Sequence, residues 1–291
     1  MQIAAFLEPL LNGLLTGAYY LVIALGLSLI FTLGGVVNLA QGAFYAIGAY
    51  LAVTLSAQLG FAGSLAVAPV LVGLLGVAIE RLLHLRFQRA DPILPLLLTF
   101  GLAMVAELGL RAAFGAAPLA DTMPAALGGN IALGDVVYSA YRVVLLAAAV
   151  VVVTLTWLLI HRTPFGRVVR AGAQNPEMVG ALGIALAPYR MAMAALGAGL
   201  AGLAGVLLAP IVTIHPAMEL NLLAAAFVVV VIGGLGSFWR LVAAALLVGL
   251  AREFAASITP AAGEASMYLL MGLVLLFRPR GLFGERALRF G

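Results

Sequence analysis

The feature that most restricts this chain is a succession of long, unbroken apolar runs, at about 10–32, 36–58, 62–83, 93–114, 141–160, 189–213, 220–236, 240–258 and 265–278. Most approach the roughly 20 residues a helix needs to cross a bilayer's hydrocarbon core. The chain is 65% hydrophobic and only 9% charged, where a soluble domain carries roughly 25% charged residues. Lipid offers no water to satisfy backbone N–H and C=O groups, so spanning segments must be helices or strands of a closed barrel. Barrel strands alternate apolar and polar residues, and these runs do not alternate. The expected fold is all-α: a polytopic transmembrane helical bundle of eight or nine spans, built as one domain over residues 1–291.

Charge then orients the spans. All 15 basic residues are arginine, and the chain has no lysine and no cysteine. Without lysine there is no P-loop lysine to cradle a nucleotide phosphate and no Schiff-base chemistry. Without cysteine there are neither disulfides nor thiolate metal ligands. No His, Asp and Glu cluster has metal-ligand spacing, so no metal site is expected. The pI of 9.8 does not read as a nucleic-acid surface, because the arginines sit at span ends, where positive charge sets topology. Arg81, Arg86 and Arg89 follow the third run; Arg162, Arg167, Arg170 and Arg190 bracket a polar interruption; Arg240 separates two runs; Arg278, Arg280, Arg286 and Arg289 follow the last. Placing all four clusters in the cytoplasm leaves the loop at 115–140, with Asp121 and Asp135, outside, and the C-terminus inside. Counting back puts the N-terminus outside with nine crossings, or inside with eight if 36–58, broken by Asn38 and Gln41, is re-entrant. No cationic stretch precedes the first run, so no cleaved leader is expected.

The interruption, residues 161–190, is too polar to span. Thr163-Pro164 is a helix start, a hydroxyl N-cap followed by proline at the first helical position. Arg167 and Arg170 lie three apart on one face, and Phe165, Val168 and Val169 supply an apolar side. Asn175-Pro176 is a second start, with Glu177 in the first turn where the helix dipole favours a carboxylate. Met178 and Leu182 form a short apolar stripe before a C-cap at Gly183. Two readings fit: an amphipathic anchor in the lipid headgroups, or a stiff plug that enters a groove on a soluble partner.

Within the runs, ionisable groups are few. Glu107 and Arg111 have the i, i+4 spacing of an ion pair buried among the spans, and Arg252 and Glu253 are adjacent in the eighth run; expensive intramembrane charges are normally paired. Asn38 and Gln41, three apart, share a face. Their amides can hydrogen-bond a zwitterion in a pathway or a neighbouring helix. Gly233, Gly234 and Gly236 permit either an unwound pathway stretch or a turn between spans. Rows of small residues, Gly13 with Gly17 and Gly197 with Ala201 and Gly205, favour close helix packing. The G-x-G-x-x-G at 197–202 lies within a span rather than after a strand, so it does not read as a dinucleotide site.

Four stretches together resemble the permeases of branched-chain amino-acid ABC importers: GAYYLVIALGLSLIFTLGGVVNLAQGAFYAIGAYLA at 17–52, RTPFGRVVRAGAQNPEMVGALGI at 162–184, VVIGGLGS at 230–237 and FRPRGLFG at 277–284. The likeness runs in order along nearly the whole chain and is to the shorter of the two permease types. It implies a subunit of the bacterial inner membrane, without an ATPase site or cofactor of its own, that moves branched-chain or other small amino acids inward. Its implied partners are a second, similar permease, two cytoplasmic ATPase subunits that hold the ATP, and a periplasmic binding protein. It makes 163–183 a coupling segment, with Thr163, Phe165, Gly166, Arg167, Arg170, Asn175, Pro176 and Glu177 as coupling residues. Asn38, Ala40 and Gly42 match the family's N-x-A-x-G pattern. Gln41 replaces a frequent histidine and Ala43 a frequent acidic residue, which puts borrowed solute assignments in doubt. Relatives of this kind carry urea, short amides or aromatic acids. The competing class is a gradient-driven carrier, which would work alone and depend on a membrane carboxylate such as Glu107.

Overall fold

The computed structural model describes residues 2–87, 93–121, 123–124, 127–133, 136–234 and 238–278. Ten helices follow in order: α1 (Gln2–Gly34), α2 (Gln41–Phe87), α3 (Ile93–Phe114), α4 (Ala140–Arg162), α5 (Pro164–Gln174), α6 (Pro176–Ala181), α7 (Ala187–Leu208), α8 (Glu219–Gly233), α9 (Phe238–Ala256) and α10 (Pro260–Phe277). The described residues hold one sheet, an antiparallel hairpin of β1 (Asn130–Leu133) and β2 (Val136–Ser139) between α3 and α4. Among the described residues, six helices, α1, α2, α3, α4, α7 and α10, are long and apolar enough to cross a membrane. The chain is an all-α, multi-pass membrane protein, as its runs of hydrophobicity require.

Two expected spans, 36–58 and 62–83, form the single long element α2, broken at Gly60. Gly60 has φ 69° and ψ 172°, a conformation essentially reserved for glycine. The partners of the two arms show what the break does. Gln41 bonds to Gly197 and Gly48 abuts Gly202, so the first arm runs parallel to α7. Val72 covers Gly202, Gly76 meets Ala198 and Glu80 bonds to Arg190, so the second arm runs back antiparallel. The chain thus folds over at Gly60 and clasps α7 from two sides.

These helices approach almost backbone to backbone. A Cβ on Gly48 would lie 2.3 Å from the Gly202 carbonyl oxygen, and one on Gly205 would lie 2.3 Å from that of Tyr45. On α1, Gly13 and Gly17 face Leu250 and Leu246 of α9, and a Cβ on Gly249 would sit 2.3 Å from the Gly17 nitrogen. Lipid is as apolar as leucine, so side-chain hydrophobicity gives helices little reason to associate; dispersion between closely approached backbones does. By contrast, α3 and α4 turn Leu97, Phe100, Val105, Val150 and Leu155 outward, as lipid-facing helices should.

The bundle has two distinct ends. At one, the β hairpin packs near α1 and α4, Leu119 pairs with Ile214, and Ser56 Oγ donates to Asp121 Oδ1 at 2.9 Å. At the other, α5 and α6 lie below the ends of α1 and α4, with Leu33 against Gly172. The packing at Gly48 gives a direct check. Gly48→Val should lower thermal stability by about 2 kcal/mol or more through overpacking. Gly34→Ala, which meets nothing within 4 Å, should leave it unchanged. Equal melting temperatures for the two variants in detergent would contradict the backbone contact.

Candidate functional site

Midway along α7, at its eleventh of 22 residues, the Gly197 carbonyl accepts from Gln41 Nε2 at 3.0 Å. Gln41 opens α2, and the segment before it, 35–40, is not helical. Gly35 (φ 68°) ends α1. Asn38 Oδ1 then accepts from the Ala40 nitrogen at 2.9 Å, and the Leu39 nitrogen donates to Thr99 Oγ1 at 3.1 Å. Asn38 is therefore used in a local turn that sets the start of α2. Gln41 reaches across to a neighbouring helix, with Gly26 leaving the room: a Cβ there would lie 2.4 Å from Gln41 Nε2. Gln41 Oε1 is buried and has no hydrogen-bond partner among the described residues.

A second helix begins beside the first. A Cβ on Gly42 would lie 2.7 Å from the backbone oxygen of Glu219, the first residue of α8. Non-helical chain at 209–218 leads into it. Two helix N-termini, each preceded by irregular backbone, thus meet in the interior. This is how transporters bring polar groups to the middle of a membrane. Glu219 is 3% exposed and its Oε2 lacks a hydrogen-bond partner among the described residues. Sequence reasoning missed it, although a lone carboxylate opening an apolar run just after His215-Pro216 was the available signal.

Gly233 and Gly234 lie elsewhere. Fifteen residues of α8 place Gly234 about 22 Å from Glu219, at 1.5 Å per residue. Gly234 has φ 78° and ends α8, and a Cβ on Gly233 would lie 3.0 Å from Leu241 Cα. Gly233 and Gly234 end α8 against the start of α9, at the same end as α5. Gly236 and Ser237 lie outside the described residues.

The 161–190 segment folds as its caps dictate. Thr163 Oγ1 accepts from the Gly166 nitrogen at 3.1 Å and Asn175 Oδ1 from the Met178 nitrogen at 2.9 Å, with Pro164 and Pro176 at the first helical positions. Gly183 (φ 79°) donates to the Gly180 oxygen and Ile184 to the Val179 oxygen, a Schellman ending. Gly166, Val169 and Gly172 form the buried face of α5. Val169 joins Leu29, Ile160 and Met193 in a small core of its own that ties α5 to α1, α4 and α7. Phe165 stacks on Tyr189 at 5.5 Å. Arg170 Nη1 donates to the Ile160 oxygen near the end of α4, so it is turned inward, while Arg167, Asn175 and Glu177 are exposed. Met178 and Leu182 are 60% and 71% exposed, an apolar stripe facing away from the bundle.

Among the described residues, ion pairs link charged groups within and between helices. Arg111 Nη2 donates to Glu107 Oε1 at 3.1 Å, but Arg111 is 52% exposed; within the chain this pair lies on an open face of α3 rather than in the core. Arg252 Nη1 donates to Glu253 Oε1 at 2.7 Å, and Thr16 Oγ1 donates to the same oxygen at 3.0 Å. The third, unforeseen from sequence because its members are 110 positions apart, is buried Glu80 accepting from Arg190 at 2.9 and 3.2 Å. It fastens the second arm of α2 to the start of α7.

A family model described as "Branched-chain amino acid transport system / permease component" matches residues 10–278. The chain is 29% identical to the high-affinity branched-chain amino acid transport system permease protein BraD of Pseudomonas aeruginosa, covering 98% of this chain and 97% of that one. It is 26% identical to LivH of Escherichia coli over 98% and 97% of the two. LivM of Escherichia coli is 29% identical over 90% of this chain but only 67% of its own length, so the likeness is end to end with the shorter permease type. No solved structure matches. For the Glu80–Arg190 link, Glu80→Gln should cost about 2–3 kcal/mol, because it leaves a partly buried guanidinium unpaired. The double change with Arg190→Met should cost less than the sum of the two single changes. Strict additivity in thermal unfolding would show that the pair does not couple the helices.

Proposed function

The chain belongs to the branched-chain amino acid transport system permease family, and from that premise we propose that it is the solute-conducting subunit of an importer powered by separate ATPases. It crosses the bacterial inner membrane with α5, α6 and its C-terminus in the cytoplasm and the 115–140 loop outside, following the distribution of arginine. A second permease of the longer type stands beside it, two ATPase subunits lie beneath, and a periplasmic protein delivers a branched-chain amino acid. The likeness to both LivH and LivM supports a pair of related permeases. No ATP site or cofactor is assigned to this chain.

One observation carries the mechanical part: the exposed Met178 and Leu182 on a capped, internally braced helix pair. An anchor lying in headgroups needs neither two defined helix starts nor a dedicated core. A lever does, because compliance in the segment would dissipate the displacement. The stripe fits a groove on an ATPase, with Arg167 and Glu177 at its margin. Closure of the ATPases on ATP would shift α5 and α6, and the core of Leu29, Ile160, Val169 and Met193 would carry α1, α4 and α7 with them as rigid bodies. The solute passes near the start of α2, where Gln41 Oε1 and Glu219 Oε2 offer acceptors to an ammonium group.

In cells carrying the complete importer, Met178→Asp with Leu182→Asp should reduce leucine uptake about tenfold or more, the scale of losing two buried apolar anchors at an interface. The chain should still insert, and the ATPases should no longer co-purify with it. Undiminished uptake and intact co-purification would refute the docking role. Separately, Gln41→Leu should lower uptake without lowering assembly; full uptake would assign Gln41 to packing alone.

A further inference from the structure

At the hairpin end, remote from α5 and α6, the outer portions of α1, α4 and α9 and the chain following α7 line an open-mouthed cavity of about 200 Å³. One wall is polar. Arg252 and Glu253 stand beside Thr16 and Tyr19, with Thr16 Oγ1 donating to Glu253 Oε1 at 3.0 Å and Tyr19 Oη donating to Thr16 at 3.4 Å. Opposite them, Arg142 Nη1 donates to Asn12 Oδ1 at 2.9 Å, and the same oxygen accepts from Tyr138 Oη at 3.2 Å. Burial pushes the Tyr138 phenol above its usual range. The remaining wall is aliphatic: Leu15, Leu208, Ile211 and Val212.

Charge in this cavity is incompletely matched. Glu253 pairs with Arg252, whereas Arg142 meets no carboxylate within 4 Å among the described residues and is held by a neutral amide. Arg252 Nε is buried and has no acceptor among the described residues. A buried donor without a partner is costly, and that cost is recovered when an anion enters. The wall therefore offers two guanidinium groups to a carboxylate, one carboxylate and two hydroxyls to an ammonium, and an aliphatic surface to a side chain.

We infer that this cavity is an outer binding site for an aliphatic α-amino acid in its zwitterionic form, occupied before the solute reaches Gln41 and Glu219. Its carboxylate lies between Arg142 and Arg252, its ammonium meets Glu253, and its alkyl group rests on Leu208, Ile211 and Val212. The inference rests on the proposed import function but assigns a separate site.

The absence of cysteine makes the test direct. In cells carrying the full importer, Val212→Cys introduces the chain's sole thiol, whose labelling by a membrane-impermeant maleimide is followed on this chain. L-Leucine at ten times its Kd should slow labelling roughly tenfold, as single-site occupancy requires. Leucinamide, which lacks the carboxylate, and 4-methylpentanoate, which lacks the ammonium, should protect far less at the same concentration. Adding Arg252→Gln should weaken leucine protection about tenfold or more, with an unchanged labelling rate in the absence of leucine, and an unchanged melting temperature of the purified chain, showing that the fold is kept. No protection by millimolar leucine, or equal protection by all three compounds, would overturn the site, and the second comparison needs no arginine variant. Leucine uptake in the same cells separates the two claims. Uptake without protection removes the site and leaves the import function; protection without uptake does the reverse.

Discussion

Close approach of backbone to backbone around α7 is the contact on which the rest of the bundle depends. Gly197 faces Gly26, Gly202 faces Gly48 and Val72, and Gly205 faces the Tyr45 carbonyl. Every one of these contacts requires a missing Cβ. In water the hydrophobic effect would tolerate looser packing, but in lipid the unpacked alternative is solvated equally well by acyl chains. Small residues therefore determine which helices touch, and the large aliphatic residues of α3 and α4 are left facing outward.

That arrangement gives α7 a mechanical position. It follows the α5–α6 segment, is fastened near its start by Arg190 to Glu80, and passes the second arm of α2 before reaching the interior start of that helix at Gln41. The aromatic stack of Phe165 on Tyr189 adds a second tie at the same end. In the proposed mechanism, displacement applied to α5 and α6 has a packed, hydrogen-bonded route to the residues around Gln41 and Glu219. Between α6 and α7 that route crosses the non-helical residues 182–186.

Much of this was legible in the sequence because its causes are local. Hydropathy alone dictated an all-helical membrane protein. Thr163-Pro164, Asn175-Pro176 and Gly183 marked the ends of α5 and α6, since capping depends on neighbours a few positions away. A third start of the same kind, Thr259-Pro260, caps α10 through the Ala262 nitrogen and could have been found in the same way. What was not legible is tertiary. The fold-back at Gly60 was legible as the gap between the runs at 36–58 and 62–83, but that the two arms clasp α7 from two sides was not. Arg190 appeared as a topology signal at a span end, and nothing local pairs it with Glu80, 110 positions away. The inward turn of Arg170 depends on the carbonyl of Ile160, and the burial of Glu219 depends on the start of α2. Asn38 and Gln41 were correctly singled out as polar interruptions, but whether their groups bond to the protein or remain open is a property of the neighbours.

The central claim is that this chain conducts solute without a power source of its own. The Glu219 carboxylate gives the competing idea, a proton-coupled carrier, its most specific form. The decisive measurement is leucine accumulation in liposomes containing the purified chain alone, with an imposed proton gradient, alongside liposomes containing the complete importer, its binding protein and ATP. The account predicts accumulation against a concentration difference only in the complete system. Accumulation by the isolated chain, abolished by collapsing the gradient, would contradict it.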